Sequence, residues 1–538
     1  MKRILVILLL LLGVAKADEP EQVEVDGVVS DCTAKSATSC FTCVTTPQST
    51  YFGKVMISTP CRWCPATQEC HAYGSLFDSC SIPIHTSDVE DTDYANYVCE
   101  AAKYPHIASD FSNTDIDALE QWVIQYLDNF KGKKHAFPSY DSTGDTGVYE
   151  IPDKVSIAVA SDWGSGTIES AAVASLMGKH SPDHTIHMGD VYYESLEAEI
   201  KHQVFGEKLN EYQEGVAFPR GKDGTWFLNA NHEMLSLGNG YFDTLLPAGG
   251  MEGGGGQKAS YFALENKHWK VIGLDTGYNA YATFSHIDAI DELKETDSSM
   301  EDELVNWLNA TANLGEACAE DDRGIILLSH HQPFSDFIAD DAYLGPPEQL
   351  SKMIPADCKV VWITGHEHQF SMYDLTSKFG TADREVELSV YHRLVGNGGF
   401  PQPPQTPSKH TTLSWYDNRV YKSFPLNQGG EEAYVYNGYF TMALDDDKMT
   451  IEYYTFECES GTKSQDGKSC DRAVGPSMEE EVMLAREVFR AGGGKAGVEI
   501  VESWINEDAM TKGGEGGMLQ GAEKVYRQRH AFQNGQKH

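Results

Sequence analysis

Apolar residues gather in short, dense runs along this chain, and the length and spacing of the runs divide it before any chemistry is considered. The first run, Ile4 to Val14, follows Lys2 and Arg3 and leads into Ala15-Lys16-Ala17. A basic start, an apolar stretch and a small-x-small triplet predict a secretory signal over 1–17, cleaved after Ala17. Eleven apolar residues are too few for a bilayer core, which takes about 20, so no transmembrane anchor is expected. Ile116, Leu119, Trp122, Val123, Tyr126 and Leu127 recur with helical spacing, and the polar stretch 139–147 reads as a linker, giving a helix-and-linker segment over 106–150. Five apolar runs of strand length follow, at 155–160, 185–188, 225–228, 325–328 and 360–363, with a helical pattern at 303–314. Strands alternating with helices predict a layered α/β domain over 151–460. Beyond Cys470, glycine-rich breaks at 492–494 and 513–517 flank an amphipathic pattern read as a helix over 478–489, so 461–538 is expected to be a peripheral, partly helical tail.

Composition narrows the classes of function. The 538 residues, 41% hydrophobic and 23% charged, suffice for a sizeable core and are too apolar for a disordered chain. The 41 Lys and Arg against 81 Asp and Glu leave a net charge of −40, which repels a phosphate backbone, so no nucleic-acid polymer is expected as a partner. Eight of the twelve cysteines, Cys32, Cys40, Cys43, Cys61, Cys64, Cys70, Cys80 and Cys99, mark a separate module over 18–105. The pairs Cys40/Cys43 and Cys61/Cys64, 17 residues apart, fit a zinc-ribbon spacing. Against zinc, the signal implies an oxidising compartment in which thiols pair, and a four-ligand site would leave four cysteines over, so disulfides are expected. Gly494-Lys495 does not complete a phosphate loop, because Phe489 and Ala496 stand where a glycine and a hydroxyl residue are needed.

The chemistry lies just after the five runs. They are followed by Asp162, by Asp190 and Tyr193, by Asn231 and His232, by His330 and His331, and by His366 and His368. In open α/β sheets ligands bind at the carboxyl ends of strands, so residues scattered from 162 to 368 can converge on one rim. Oxygen donors mixed with imidazoles suit a pair of first-row metals better than a thiolate zinc site. His184, His187 and Asp275 are read as structural. Glu233 and Glu367 do not belong to an H-E-x-x-H zinc helix, because positions 236 and 370 are Ser and Phe.

The ordered set Asp162-Trp163-Gly164, Gly189-Asp190-Val191-Tyr192-Tyr193, Asn231-His232-Glu233, His330-His331 and Gly365-His366-Glu367-His368 resembles the calcineurin-like metallophosphoesterase superfamily. Gly164, where most of that superfamily has a metal-binding histidine, and Tyr193, three residues after Asp190, resemble its purple acid phosphatase branch. The resemblance implies a sandwich of two mixed sheets flanked by helices, preceded here by a small disulfide-rich domain. It implies a first metal, Fe(III), on Asp162, Asp190, Tyr193 and His368, and a second, Fe(II), Zn(II) or Mn(II), on Asp190, Asn231, His330 and His366, with Asp190 bridging. His232 would be the general acid or would orient the site; of His330 and His331, either of which could ligate, His330 is favoured because it directly follows the strand, leaving His331 to contact substrate. Ala230 departs from the glycine usual before Asn-His, and its methyl is expected to press on the metal-binding loop. The spacing around Cys61-Arg62-Trp63-Cys64 and Cys70 similarly resembles the plexin-semaphorin-integrin (PSI) cysteine-rich repeat.

Asn309-Ala310-Thr311 is a glycosylation acceptor, and Cys318 with Cys358 and Cys458 with Cys470 are expected to pair. The reading is a binuclear-metal acid phosphatase, secreted or held in a vacuole or lysosome, hydrolysing small phosphate monoesters. Its rivals are a phosphodiesterase or nucleotide pyrophosphatase on the same site, and a non-catalytic protein working through the cysteine-rich module, whose partner, protein or glycan, is left open.

Overall fold

The five runs become strands that are almost wholly buried: β1 Lys154–Ala160, β2 His184–His187, β3 Gly224–Phe227, β4 Gly324–Ser329 and β5 Val360–Thr364. β1, β4 and β5 are dense in apolar side chains, whereas β2 also buries His184, Thr185 and His187. The structure, a computed structural model, describes residues 133–211, 213–280, 298–338, 343–407, 412–423, 432–456, 480–492 and 497–513, with pieces of the first hundred at 28–30, 39–40, 43, 47–52, 55–64, 69–71 and 99. Along β1, Val155, Ile157 and Val159 enter the core between the sheets while Ala158 and Ala160 face a second core outside. Along β4 and β5, Ile326, Leu328, Val361 and Ile363 face the same central layer, and Ile325, Leu327, Val360 and Trp362 a third core. Each fully buried Val, Ile or Leu in such a layer contributes about 1.5–3 kcal/mol. Helix α1 Ile168–Lys179 covers the first sheet with Val173, Leu176 and Met177.

β1, β2 and β3 run parallel in an eight-stranded sheet, and β4 and β5 run parallel in a ten-stranded one. Antiparallel strands complete both, giving the expected pair of mixed sheets flanked by helices. The carboxyl ends of β1, β2 and β3 therefore share one edge, and those of β4 and β5 another. The short helix α2 Asn231–Leu235 starts at that edge, and α3 Asp302–Ala310 packs on the second sheet through Leu304, Trp307 and Leu308, ending before the expected 314.

Two expectations are corrected. The pattern at 478–489 is not a helix: Glu481–Ala491 is a strand between Lys448–Phe456 and Val498–Ile505 in the eight-stranded sheet. A bulge between Val488 and Phe489 breaks its alternation, so apolar residues fall at spacings that imitate a helix. Strands continue to Thr511–Lys512, so this part of the expected tail is sheet and the division at 460 does not hold. At the other end, the stretch expected to be a linker is partly packed: Tyr140 is buried against Tyr261 and Trp307, and Val148–Glu150 pairs with Phe262–Glu265.

Glu487 would lie on a wet face of a helix; in the strand it is buried against Arg393 of the other sheet. The guanidinium donates twice to its carboxylate, at 2.7 and 2.6 Å, and also to the carbonyls of Tyr373 and His392. Removing one partner leaves an uncompensated buried charge, so Glu487→Ala should cost about 3–5 kcal/mol in denaturant unfolding. Replacing both residues by apolar ones of similar volume should cost much less.

Among the described residues of the cysteine-rich module, Cys40 pairs with Cys99 and Cys43 with Cys70, and Cys61 and Cys64 are also disulfide-bonded. Both C-x-x-C pairs are thus consumed as disulfides rather than zinc ligands. Cys318 and Cys358 pair as expected. The signal, the helix around Trp122, Cys32, Cys80, Cys458 and Cys470 lie outside the described residues.

Candidate metal centre

Three residues that carry the chemistry hold a left-handed backbone: Asp162 at φ +56°, Asp190 at +69° and His366 at +72°. For a residue other than glycine this costs on the order of 1–3 kcal/mol and persists only where neighbours over-determine it. Those neighbours are identifiable. The Asp162 N–H donates to the Gly189 carbonyl at 3.0 Å. The N–H groups of Asp190 and Val191 donate to the two oxygens of Glu233, at 3.1 and 2.9 Å. The His366 N–H donates to Asp162 Oδ2 at 2.9 Å, tying the β5 loop to the β1 loop. Gly365 permits that approach, since a Cβ there would stand 1.8 Å from Ser161 Oγ. A Cβ on Gly189 would meet the Ala230 methyl at 2.5 Å, so that methyl nests over a bare Cα and does not press on the loop as expected.

Around Asp190 the donor atoms divide into two groups. Beside Oδ2, the Tyr192 hydroxyl lies 3.0 Å from Asp190 Oδ2, 3.3 Å from Asp162 Oδ1 and 2.9 Å from His368 Nε2. His368 Nε2 is in turn 3.2 Å from Asp162 Oδ1. Beside Oδ1, His330 Nε2 lies 3.4 Å from Asp190 and 3.2 Å from His366 Nδ1. Asp162, Asp190 and His330 offer ligand atoms within 4.8 Å of one another, as do His330, His331 and His366. Asn231 heads α2, and its Oδ1 is buried with no hydrogen-bond partner among the described residues. His331 is held by Thr276 through Nδ1 at 3.0 Å, and its buried Nε2 has no partner among the described residues.

His232 stands at the edge, its Nδ1 2.6 Å from the Tyr193 carbonyl and its Nε2 3.9 Å from Asp190 Oδ2. The Tyr193 ring packs edge-on against His232 at 4.7 Å, while the hydroxyl among the carboxylates is that of Tyr192, which the sequence reading passed over. The spacing reading also gave no role to Tyr343, whose hydroxyl is 2.8 Å from His366 Nε2, or to Glu199, which accepts the N–H groups of Tyr193, Glu194 and Leu196. His187 accepts the Gly189 N–H, and Asp275 accepts from Asn229, Ser260, Gly277 and Tyr278.

Burial dominates the electrostatics. It pulls His232 and His330 down to about 4 and His366 to about 3, leaving neutral rings, the form in which imidazole ligates a metal. Burial, reinforced by the charges of Asp162 and Glu233, pushes Asp190 well above the usual carboxylate range. Burial also opposes ionisation of Asp162, but His330, His368 and the Ser161 hydroxyl outweigh it and hold this carboxyl low. Among the described residues neither carboxylate pairs with a lysine or arginine; their ion-pair partners are histidines. Two buried carboxylates, neutral imidazoles and an orphaned amide oxygen, with no internal cation, are a donor set that fits bound metal ions.

Residues 155–370 match the family described as calcineurin-like phosphoesterase. The similarity to that family covers 216 of the 538 residues. Its limits run from β1 through the loop that carries His366 and His368, so the match spans every residue of the two donor groups. A solved structure described as "Structure of PhoD" superposes with a TM-score of 0.35 at 12% identity, over 66% of this chain and 73% of that one. Likeness at that level says nothing of activity. No curated protein matches the sequence.

Proposed function

We propose that this chain is a secreted, binuclear-metal phosphatase acting on small phosphate monoesters. The observation that carries the binuclear reading is Asp190, whose Oδ2 lies 3.0 Å from the Tyr192 hydroxyl that also reaches Asp162 and His368, and whose Oδ1 lies 3.4 Å from His330, the neighbour of His366. One metal would be held by Asp162, Asp190, His368 and a tyrosine, the other by Asp190, Asn231, His330 and His366. When bound, such a pair neutralises phosphate charge, supplies a nucleophile drawn from water, and opposes the charge on entering and leaving oxygens. The chain's own residues do the rest. Glu233 fixes the Asp190 loop, the Ser161 hydroxyl donates to Asp162 Oδ2 at 2.6 Å, and His331 turns its unpartnered Nε2 to substrate. His232, oriented by the Tyr193 carbonyl, protonates the leaving alkoxide at Nε2. Burial disfavours its imidazolium, and the negative charge of the phosphate beside it restores the proton. The disulfides in the module and at Cys318–Cys358 support an oxidising compartment, and Asn309 of the glycosylation sequon is exposed on α3.

Elemental analysis of the purified chain, with a panel of phosphomonoesters and phosphodiesters, tests this. Two metals per chain and faster turnover of monoesters are expected; a preference for diesters would overturn the substrate class, and fewer than two metals the binuclear reading. If the first metal is Fe(III), a tyrosinate ligand gives a visible charge-transfer band. Geometry favours Tyr192 as its source, so Tyr192→Phe should bleach the colour and Tyr193→Phe should leave it. The reverse pattern would return the ligand role to Tyr193, and a colourless, fully loaded, active protein would remove iron.

A further inference from the structure

The imidazole of His366 has its two nitrogens committed to different neighbours. Nδ1 stands in the second donor group, 3.2 Å from His330 Nε2, whereas Nε2 lies 2.8 Å from the hydroxyl of Tyr343. The main chain on this loop is already fixed, since the His366 N–H is spent on Asp162. What remains free is the ring's tautomer and its rotation. A neutral imidazole carries one proton, and the group bonded to the far nitrogen decides which nitrogen bears it. If Nδ1 is to offer a lone pair beside His330, Nε2 must hold the proton and needs an acceptor.

Resting on the binuclear reading, we infer that Tyr343 is a positioning residue for the second metal: its hydroxyl oxygen accepts the Nε2–H of His366, fixing the tautomer and ring orientation that turn Nδ1 to the metal. Packing supports the assignment. The Tyr343 ring lies 4.7 Å from that of His331 and edge-on to His366 at 5.1 Å, so one aromatic ring braces two of the histidines. His331 is itself tethered to Thr276, which makes it a firm backing. Tyr343 enters from the start of the segment leading into the helix Gly345–Leu350, whose Pro346, Pro347 and Leu350 are buried, so the hydroxyl arrives from an anchored element. An outer partner of this kind typically accounts for 10–100-fold in metal affinity.

The test is competition with a graded chelator on the full chain loaded with zinc, in wild type, Tyr343→Phe, His366→Ala and the double variant. Tyr343→Phe keeps the ring and loses only the oxygen. It should weaken one of the two zinc ions about 10–100-fold and leave the other at wild-type affinity. In the His366→Ala background the same change should have no further effect, because the two act as one unit. A merely structural tyrosine would instead weaken both ions, or add its loss to that of His366→Ala. Wild type with two zinc ions and a Phe variant that holds both equally well overturns the inference alone; wild type with fewer than two overturns the binuclear reading and this inference with it.

Discussion

Replacing Asp190 by asparagine is expected to remove most of the metal and with it the activity. Each carboxylate oxygen faces a different donor group, so the substitution takes away one oxygen outright and puts an NH2, which cannot ligate, where a lone pair is required. The loss should exceed the ~10–100-fold typical of an outer partner, because a shared ligand is removed from both sites at once. Metal content after gel filtration and kcat on an aryl phosphate would be measured together. A variant that retains two metals at full occupancy would show that Asp190 does not bridge.

His232→Ala should separate from this cleanly. Its ring is held by the Tyr193 carbonyl, with Nε2 3.9 Å from Asp190 Oδ2, and it is not one of the proposed ligands, so both metals should remain. The rate should nonetheless fall on the order of 10²–10⁴-fold, the usual worth of a positioned general acid. Because a proton matters most when the departing oxygen is basic, alkyl phosphates should suffer the full loss and aryl phosphates much less. Equal losses on both would leave His232 as a residue that orients the site without moving a proton.

How far the sequence could be read follows from which physical signals are local. β1, β4 and β5 are legible because strands buried on both faces are continuous apolar runs, and the carboxyl-end rule then brings Asp162, Asp190, His330, His366 and His368 near one another. Tyr192 is not, because two consecutive tyrosines offer no spacing cue to which hydroxyl reaches the carboxylates. Tyr343 had no cue at all: its partner is 23 residues away on another loop, and only tertiary packing joins them. The strand Glu481–Ala491 was misread because its bulge scrambles the period of two, and Glu487, which looks like a solvent residue, has its partner in a different sheet.

That late strand bears on how the protein is made. β1 pairs with Gly438–Asp445, which pairs with Lys448–Phe456, which pairs with Glu481–Ala491, so one sheet joins residues separated by more than 300 positions. A ribosome adding about 5–20 residues per second would have exposed every ligand-bearing loop well before the closing strands emerge. During that interval β1 has one open edge and Arg393 has no carboxylate to meet. A stop codon shortly after position 460 would yield the complete set of ligands on a sheet that lacks Glu481–Ala491, and with it the carboxylate that Arg393 requires.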